Sequence, residues 1–189
     1  LLKHANAILV TTPNYLEGSE DLYDFRDKSH ILPIGIDPNE LPNNEKFYNQ
    51  LLKEYENKKV VFSLGRLTYY KGFDYLIKAA KFLDDDTVVL IGGAGELKDV
   101  LFELIKKNEL QSKVKLLDKI PFNEISSYFK RADIFCLPSN EKSEAFGVVL
   151  IESMSFGLPI VSCNIKGSGV PWVNENNITG ENVKSKDSF

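Results

Sequence analysis

Histidine is nearly absent. His4 and His30 are the only two, both near the start of the chain, and no Ser-His-Asp or Cys-His arrangement can be read from them. Cysteine is as scarce. Cys136 and Cys163 each sit at the end of a short apolar run, without metal-ligand spacing, and read as free thiols in buried strands. That usage fits a reducing cytoplasm. No apolar run approaches the roughly 18–20 residues that span a bilayer. Positive charge is not in excess: 23 Lys and Arg stand against 27 Asp and Glu, for a net charge of -4. This balance excludes a general nucleic-acid binder but leaves room for a local basic pocket. Internal repeats and low-complexity tracts are missing too. No leader segment is visible, and because the chain opens on Leu1 it reads as a piece of a longer protein.

What is present is an ordinary globular composition, 43% hydrophobic and 26% charged over 189 residues. That length is enough for one domain plus a fragment. Short apolar runs at 7–10 and 31–34 flank a helix over 13–25. Pro38, Pro42 and the Asn43-Asn44 pair then break the pattern, which places a boundary near residue 38. Beyond it, strands are expected at 60–64, 87–91, 114–117, 133–137 and 159–163. Helices are expected between them at 45–57, 72–83, 96–108, 123–131 and 146–156, with Asn123 as a cap. Alternating strands and helices with wholly apolar strands give an α/β, Rossmann-like, three-layer domain on a parallel sheet. Ligands in such sheets bind at the carboxyl ends of strands, so the loops there carry the search.

The loop after the first of these strands, Gly65 to Gly72, holds Arg66 and Lys71 between two glycines. Only three of the basic residues are arginines, so Arg66 suits the forked hydrogen bonding that arginine alone supplies to phosphate or carboxylate. Two solvated loop charges are the plain alternative. Gly92-Gly93-Ala94-Gly95 lacks the G-x-G-x-x-G spacing and an acid some twenty residues on, so it reads as a tight turn and not as a nicotinamide site. Glu144 and Glu152 bracket a predicted helix start at Phe146, Gly147, Val148 and Val149, whose free amides would seat a diphosphate. Eight residues of helix would set the two acids roughly 12 Å apart. A glutamate beside Val148, Val149, Leu150 and Ile151 is costly unless it meets water or donors. Asp84-Asp85-Asp86 reads as a solvated turn, not a metal site. The Asn177-Ile178-Thr179 glycosylation pattern reads as chance.

Ser143-Glu144-x-Phe146-Gly147-x4-Glu152, followed by Ser-Met-Ser-x-Gly157-x-Pro159, resembles the E-x7-E motif of retaining GT-B glycosyltransferases (glycosyltransferase family 4, the group 1 glycosyl transferases). Gly65-Arg66 through Lys71-Gly72 is similar to that family's phosphate loop. Ile34 to Asp37 is similar to its interdomain passage, and Gly167 to Gly180 to the stretch after its motif helix. The resemblance implies the C-terminal half of a GT-B fold. Residues 1–38 would be a remnant of the acceptor domain and linker, and residues 39–189 a nucleotide-sugar-binding domain truncated at its end.

The resemblance also assigns roles. Arg66, Lys71 and Glu144 would be catalytic, the two cations at the diphosphate and the acid at the sugar hydroxyls. The donor would also touch Gly65, Phe146, Gly147, Val148 and Val149. Glu152 would hold the ribose, and Ile120 and Pro121 would meet the base. A UDP- or GDP-linked hexose would pass with retention to a polysaccharide or glycolipid acceptor, without metal or other cofactor. The implied place is the cytoplasm, with room for contact with the inner face of the membrane through the missing N-terminal domain. The fragment alone would bind nucleotide weakly and transfer nothing. A silent nucleotide-sugar-binding module and a GT-B epimerase are the alternative readings.

Overall fold

The structure is a computed structural model that describes residues 1–188. Its strands are β1 (Ile8–Val10), β2 (Ser29–Ile31), β3 (Lys59–Leu64), β4 (Thr87–Gly92), β5 (Val114–Leu116), β6 (Ile134–Leu137), β7 (Ile160–Asn164) and β8 (Gly180–Lys184). Its helices are α1 (Pro13–Gly18), α2 (Glu45–Glu54), α3 (Phe73–Ala79), α4 (Lys98–Lys107), α5 (Phe122–Arg131), α6 (Val148–Met154) and α7 (Val170–Val173). No helix among the described residues is long and apolar enough to cross a membrane.

β1 and β2 form a small parallel pair. The other six strands form one parallel sheet in the order β5-β4-β3-β6-β7-β8. Counted from β3, this is the doubly wound order 3-2-1-4-5-6. The winding reverses between β3 and β6. Loops leaving the carboxyl ends of those two strands turn to opposite faces, and a crevice opens between them.

Side-chain alternation along the strands builds both outer layers. Val60, Phe62, Leu90, Phe135, Leu137 and Ile160 point to one face, where they meet Leu51 of α2, Phe129 of α5 and Leu150 of α6. Val61, Val89, Ile91, Cys136 and Val161 point to the other, where Leu76 and Ile77 of α3 and Leu101 and Ile105 of α4 cover them. Every residue of β4 is buried, as a central parallel strand requires. Phe62 anchors the first face, with ring centroids 5.5 Å from Tyr128 and 5.3 Å from Phe129. Burial of one such side chain stabilises by about 1.5–3 kcal/mol.

The sequence-based elements hold in order and type, with local departures. The helix expected over 13–25 stops at Gly18, because Ser19 turns to extended backbone and Glu20–Lys28 continues as 3₁₀ helix. The run at 31–34 pairs only as far as Ile31, in a strand that starts at Ser29. Asn123 caps nothing: α5 already begins at Phe122 behind Pro121, whose carbonyl accepts the Glu124 amide. α6 begins at Val148 and not Phe146, so residues 144–147 are not helical and the 12 Å estimate for two acids on one helix falls away.

β8 was not expected at all. Gly180-Glu-Asn-Val-Lys is a polar edge strand without an apolar run. It pairs with β7 in parallel over five residues, Ser162 Oγ donates to Asn182 Oδ1 (2.7 Å), and Asn174 braces the edge, donating from Nδ2 to Ser162 Oγ (2.9 Å) and accepting at Oδ1 from Thr179 Oγ1 (2.8 Å).

Residues 1–38 rest on the turn after β7. Thr12 is fully buried and caps α1 by accepting the Tyr15 amide at 3.1 Å. A Cβ on Gly18 would stand 2.3 Å from the Gly167 Cα, so two glycines let the segments touch backbone to backbone.

Candidate functional site

The crevice at the β3/β6 switch contains a hollow of about 470 Å³. Leu64, Gly65 and Lys71 line one wall, and Glu144, Phe146 to Val149 and Glu152 the other. Two loops distant in sequence therefore meet where the topology predicts a ligand.

The β3 loop is held open by its neighbour. The Gly65 amide donates to Gly92 O (3.0 Å), the Leu67 amide to Ala94 O (3.0 Å) and the Leu97 amide to Leu67 O (3.0 Å). Gly93 has φ +142, and a Cβ there would lie 1.8 Å from Gly65 O. The glycine-rich turn is thus a backbone buttress for the β3 loop, consistent with its reading as a tight turn. At the far end of the β3 loop, Gly72 adopts φ +66 against Pro138 O, where a Cβ would sit at 2.1 Å. The left-handed backbone admits glycine and turns the chain from Lys71 into α3.

Lys71 is buried, and its stem crosses Gly65. Its ammonium stands 5.4 Å from the centroid of the Tyr70 ring and donates to Glu144 Oε2 at 2.5 Å. The two side chains are only 11% and 10% exposed. Ser139, fully buried just beyond β6, donates its hydroxyl to the same oxygen at 2.7 Å. The Glu144 backbone is clamped as well. Its carbonyl accepts the buried Ser168 hydroxyl, and the next carbonyl, Ala145 O, accepts the Gly169 amide at 2.9 Å.

Gly147 then takes φ +79, a left-handed cap from which α6 starts. The Leu150 amide closes back on Gly147 O at 2.8 Å, so the amides of Val148 and Val149 precede the first closure of the turn and face the hollow unpaired by helix geometry. Glu152, on the next turn of α6, is half-buried. Burial raises its carboxyl above the ordinary range, and no hydrogen bond or ion pair reaches that carboxylate among the described residues.

The remaining sequence-predicted residues lie outside the hollow's lining. Arg66 is exposed and reaches Glu96, with Nη2 to Oε2 at 3.7 Å. The Thr68 hydroxyl chiefly, then the Glu96 backbone amide and lastly Arg66, hold the Glu96 carboxyl below its ordinary value. Ile120 is buried against Gly92, at the carboxyl ends of β4 and β5, and Pro121 is exposed beside it. Lys142 and Ser143, which flank the acid in sequence, face a separate hollow of about 300 Å³ shared with Tyr15 and the Gly18–Asp21 turn. Asp84 and Asp86 pair with Lys59 at the opposite, amino end of the sheet. Cys136 and Cys163 are free and buried, and burial pushes their thiols up to about 12 and about 11.

Sequence reasoning missed Ser139 and Ser168. A signal existed for Ser139, which is the first hydroxyl after a buried strand ended by Pro138, at the edge where doubly wound sheets bind ligands. A second, mostly apolar groove of about 260 Å³ lies on the α3 side of the sheet, lined by Val61, Ile134, Cys136, Val161 and Val183 together with Lys186 and Asp187.

Comparison with known proteins bears on the fold and the family. A glycosyltransferase of Haemophilus influenzae is 35% identical over 152 residues, covering 78% of this chain and 40% of its own length. The O-antigen chain mannosyltransferase C of Escherichia coli is 25% identical over 189 residues, covering 99% of this chain and 49% of its own. This chain therefore spans less than half the length of these relatives. Among solved structures, Anabaena Alr3699/HepE in complex with UDP and glucose superposes with a TM-score of 0.84 at 20% identity, over 98% of this chain and 51% of that one. The family described as glycosyl transferases group 1 matches residues 44–188, and the chain belongs to it.

Proposed function

We propose that the hollow binds a nucleotide-sugar donor and that the full-length protein is a hexosyltransferase. The observation that carries this reading is the meeting, at the topological switch, of a buried Lys71–Glu144 pair with the unpaired carboxylate of Glu152. Lys71 supplies positive charge for a diphosphate, and Gly65 leaves the backbone open to its approach. The amides of Phe146, Gly147, Val148 and Val149 lie on the path between the two acids. Glu144 accepts from the donor sugar's hydroxyls and Glu152 from the ribose, which restores the hydrogen bonding that burial has taken from it.

Arg66 joins the diphosphate by leaving Glu96. The pair is exposed and its atoms stand 3.7 Å apart, so solvent screens it and the exchange costs little. Ile120 and Pro121 stand where the base lies. As the sugar–phosphate bond breaks, Lys71 and Arg66 stabilise the charge that develops on the leaving nucleotide. Transfer proceeds with retention and without a metal. The donor is UDP- or GDP-linked, and the UDP complex of the Anabaena protein supports a nucleotide-linked one. The acceptor is a saccharide or glycolipid, handled at the cytoplasmic face of a membrane by parts of the protein beyond this chain.

Isothermal titration of the chain with UDP-glucose and GDP-mannose tests the reading. One of the two binds, Glu152→Ala weakens it at least tenfold, and no sugar is released to a supplied acceptor. Absence of binding by both donors, or parental affinity in Glu152→Ala, overturns the donor site. Sugar transfer by the chain alone overturns the division of labour.

A further inference from the structure

The structure assigns Ser139 as a positioning residue for Glu144, a hydroxyl that fixes which carboxylate oxygen is offered to the donor sugar. The inference rests on the donor-binding reading above and goes beyond it. Glu144 sits in a loop, not in a regular element, and a long glutamate side chain has many rotamers to lose. A loop acid of this kind needs local restraint before it can receive a sugar in one orientation.

The restraint is on the page. Oε2 of Glu144 accepts two donors, Ser139 Oγ at 2.7 Å and Lys71 Nζ at 2.5 Å. Oε1 accepts from no side chain among the described residues, although Glu144 lines the hollow. One oxygen is therefore anchored and the other is offered.

The two anchors differ in kind. Lys71 has three donor hydrogens and is the cation a diphosphate attracts, so its share in Glu144 changes when a donor enters. Ser139 has a single hydrogen. It is fully buried, and it lies behind Glu144 at the end of β6, outside the lining of the hollow. Its hydroxyl stays on Oε2 while Lys71 turns toward phosphate.

Its backbone is equally fixed. Pro138 O packs against Gly72, and the Asn140 amide donates to Tyr70 O at 2.9 Å, so the residues on either side of Ser139 are tied to the loop that carries Lys71. Ser139 thus keeps the acid in register with the lysine loop, whether or not the ion pair is fully engaged.

The consequence is selective. Removal of the hydroxyl leaves the diphosphate, ribose and base contacts in place, and frees the one group that meets the sugar. Binding of nucleoside diphosphate should survive, while the extra discrimination conferred by the sugar should fall. A merely structural hydroxyl would weaken both ligands alike.

The experiment compares Ser139→Ala and Ser139→Cys with the parent. Alanine only removes the hydroxyl, while cysteine is a weaker donor and slightly larger than serine, so the alanine variant carries the test and the cysteine variant grades it. Circular dichroism and thermal melting establish that each is folded. Dissociation constants are measured by titration for UDP, UDP-glucose, GDP and GDP-mannose. The readout is the ratio of the sugar nucleotide's affinity to that of its own nucleoside diphosphate, for the base the parent binds. The ratio should fall about tenfold in Ser139→Ala and by an intermediate amount in Ser139→Cys, with the diphosphate constant within about twofold of the parent.

An unchanged ratio in folded Ser139→Ala, with the parent binding the sugar nucleotide, overturns the role of Ser139 and leaves the donor site standing. An equal loss for both ligands overturns it too. A parent that binds none of the four overturns the donor site and the inference together.

Discussion

Lys71 Nζ lies 2.5 Å from Glu144 Oε2, though the two residues are 73 positions apart in the chain. The pair closes the gap between the β3 and β6 loops, where the sheet reverses its order, and it is nearly sealed from solvent. Its energetics follow from burial. Each charge is tolerable because the other is there, so removal of one strands its partner.

Lys71→Met or Glu144→Gln alone should therefore lower stability by about 3 kcal/mol or more, because each strands its partner. The double variant Lys71→Met/Glu144→Gln, which removes both charges and keeps the volume, should recover most of that loss. Urea denaturation of the parent, both single variants and the double gives the coupling directly. Additive losses, with a double variant weaker than either single, would contradict a buried and mutually dependent pair.

Glu152 gives a pH signature. Burial raises its carboxyl above the ordinary 4.5, so between that value and the raised one the folded protein holds more proton than the unfolded chain. Stability from this residue is fully present below the ordinary value and is lost as pH rises through the raised one. Glu152→Gln cannot ionise and escapes the loss. Its melting temperature relative to the parent should rise from pH 4 to pH 7, a trend that thermal scans across buffers would read. The same variant should bind nucleotide about tenfold more weakly, because a neutral amide oxygen accepts hydroxyls less strongly than a carboxylate. A stability difference that does not change with pH would rule out burial as the cause.

Gly93 tests the buttress. Gly93→Ala places a Cβ on Gly65 O and asks alanine to hold φ +142. The backbone strain alone costs on the order of 1–3 kcal/mol, and relief requires the β3 loop to move. Chemical denaturation should show that loss, and nucleotide binding should fall with it although residue 93 lies outside the lining of the hollow. A variant with parental stability and affinity would mean that the two loops are not coupled.

The cysteines should be silent. With thiols pushed up to about 12 and about 11 by burial, Cys136 and Cys163 carry almost no thiolate at pH 8. A colorimetric thiol reagent should react with the folded chain at least ~100-fold more slowly than with an exposed thiol, and with both cysteines after unfolding in guanidinium. Fast labelling of either one in the native protein would contradict their burial in β6 and β7.

The regular core was legible in the sequence because burial on both faces leaves runs such as Val88 to Ile91 in β4 apolar and easy to delimit. β8 was not, since it pairs with β7 through its backbone and a Ser162–Asn182 side-chain bond, and it carries no apolar run. Asn123 had the chemistry of a cap, but Pro121, with φ near the helical value, starts the turn one residue earlier. In the hollow, Gly65, Lys71, Glu144, Phe146 to Val149 and Glu152 were readable from glycine placement and from charge where charge is costly. The ligand-free direction of Arg66 was not. Its choice of Glu96 depends on how the glycine-rich turn folds beneath it, which no local pattern encodes. Ser139 was hidden for the same reason, because its role exists only once two loops have met.

The most direct test of the donor site is a two-dimensional amide NMR spectrum of the ¹⁵N-labelled chain, recorded during titration with UDP and, separately, GDP. One nucleotide should shift the amides of Gly65, Lys71, Phe146, Gly147, Val148 and Val149 in a saturable way, and leave those of Val61, Val161 and Val183 around the apolar groove in place. Saturable shifts confined to the groove, or none from either nucleotide at millimolar concentration, would contradict it.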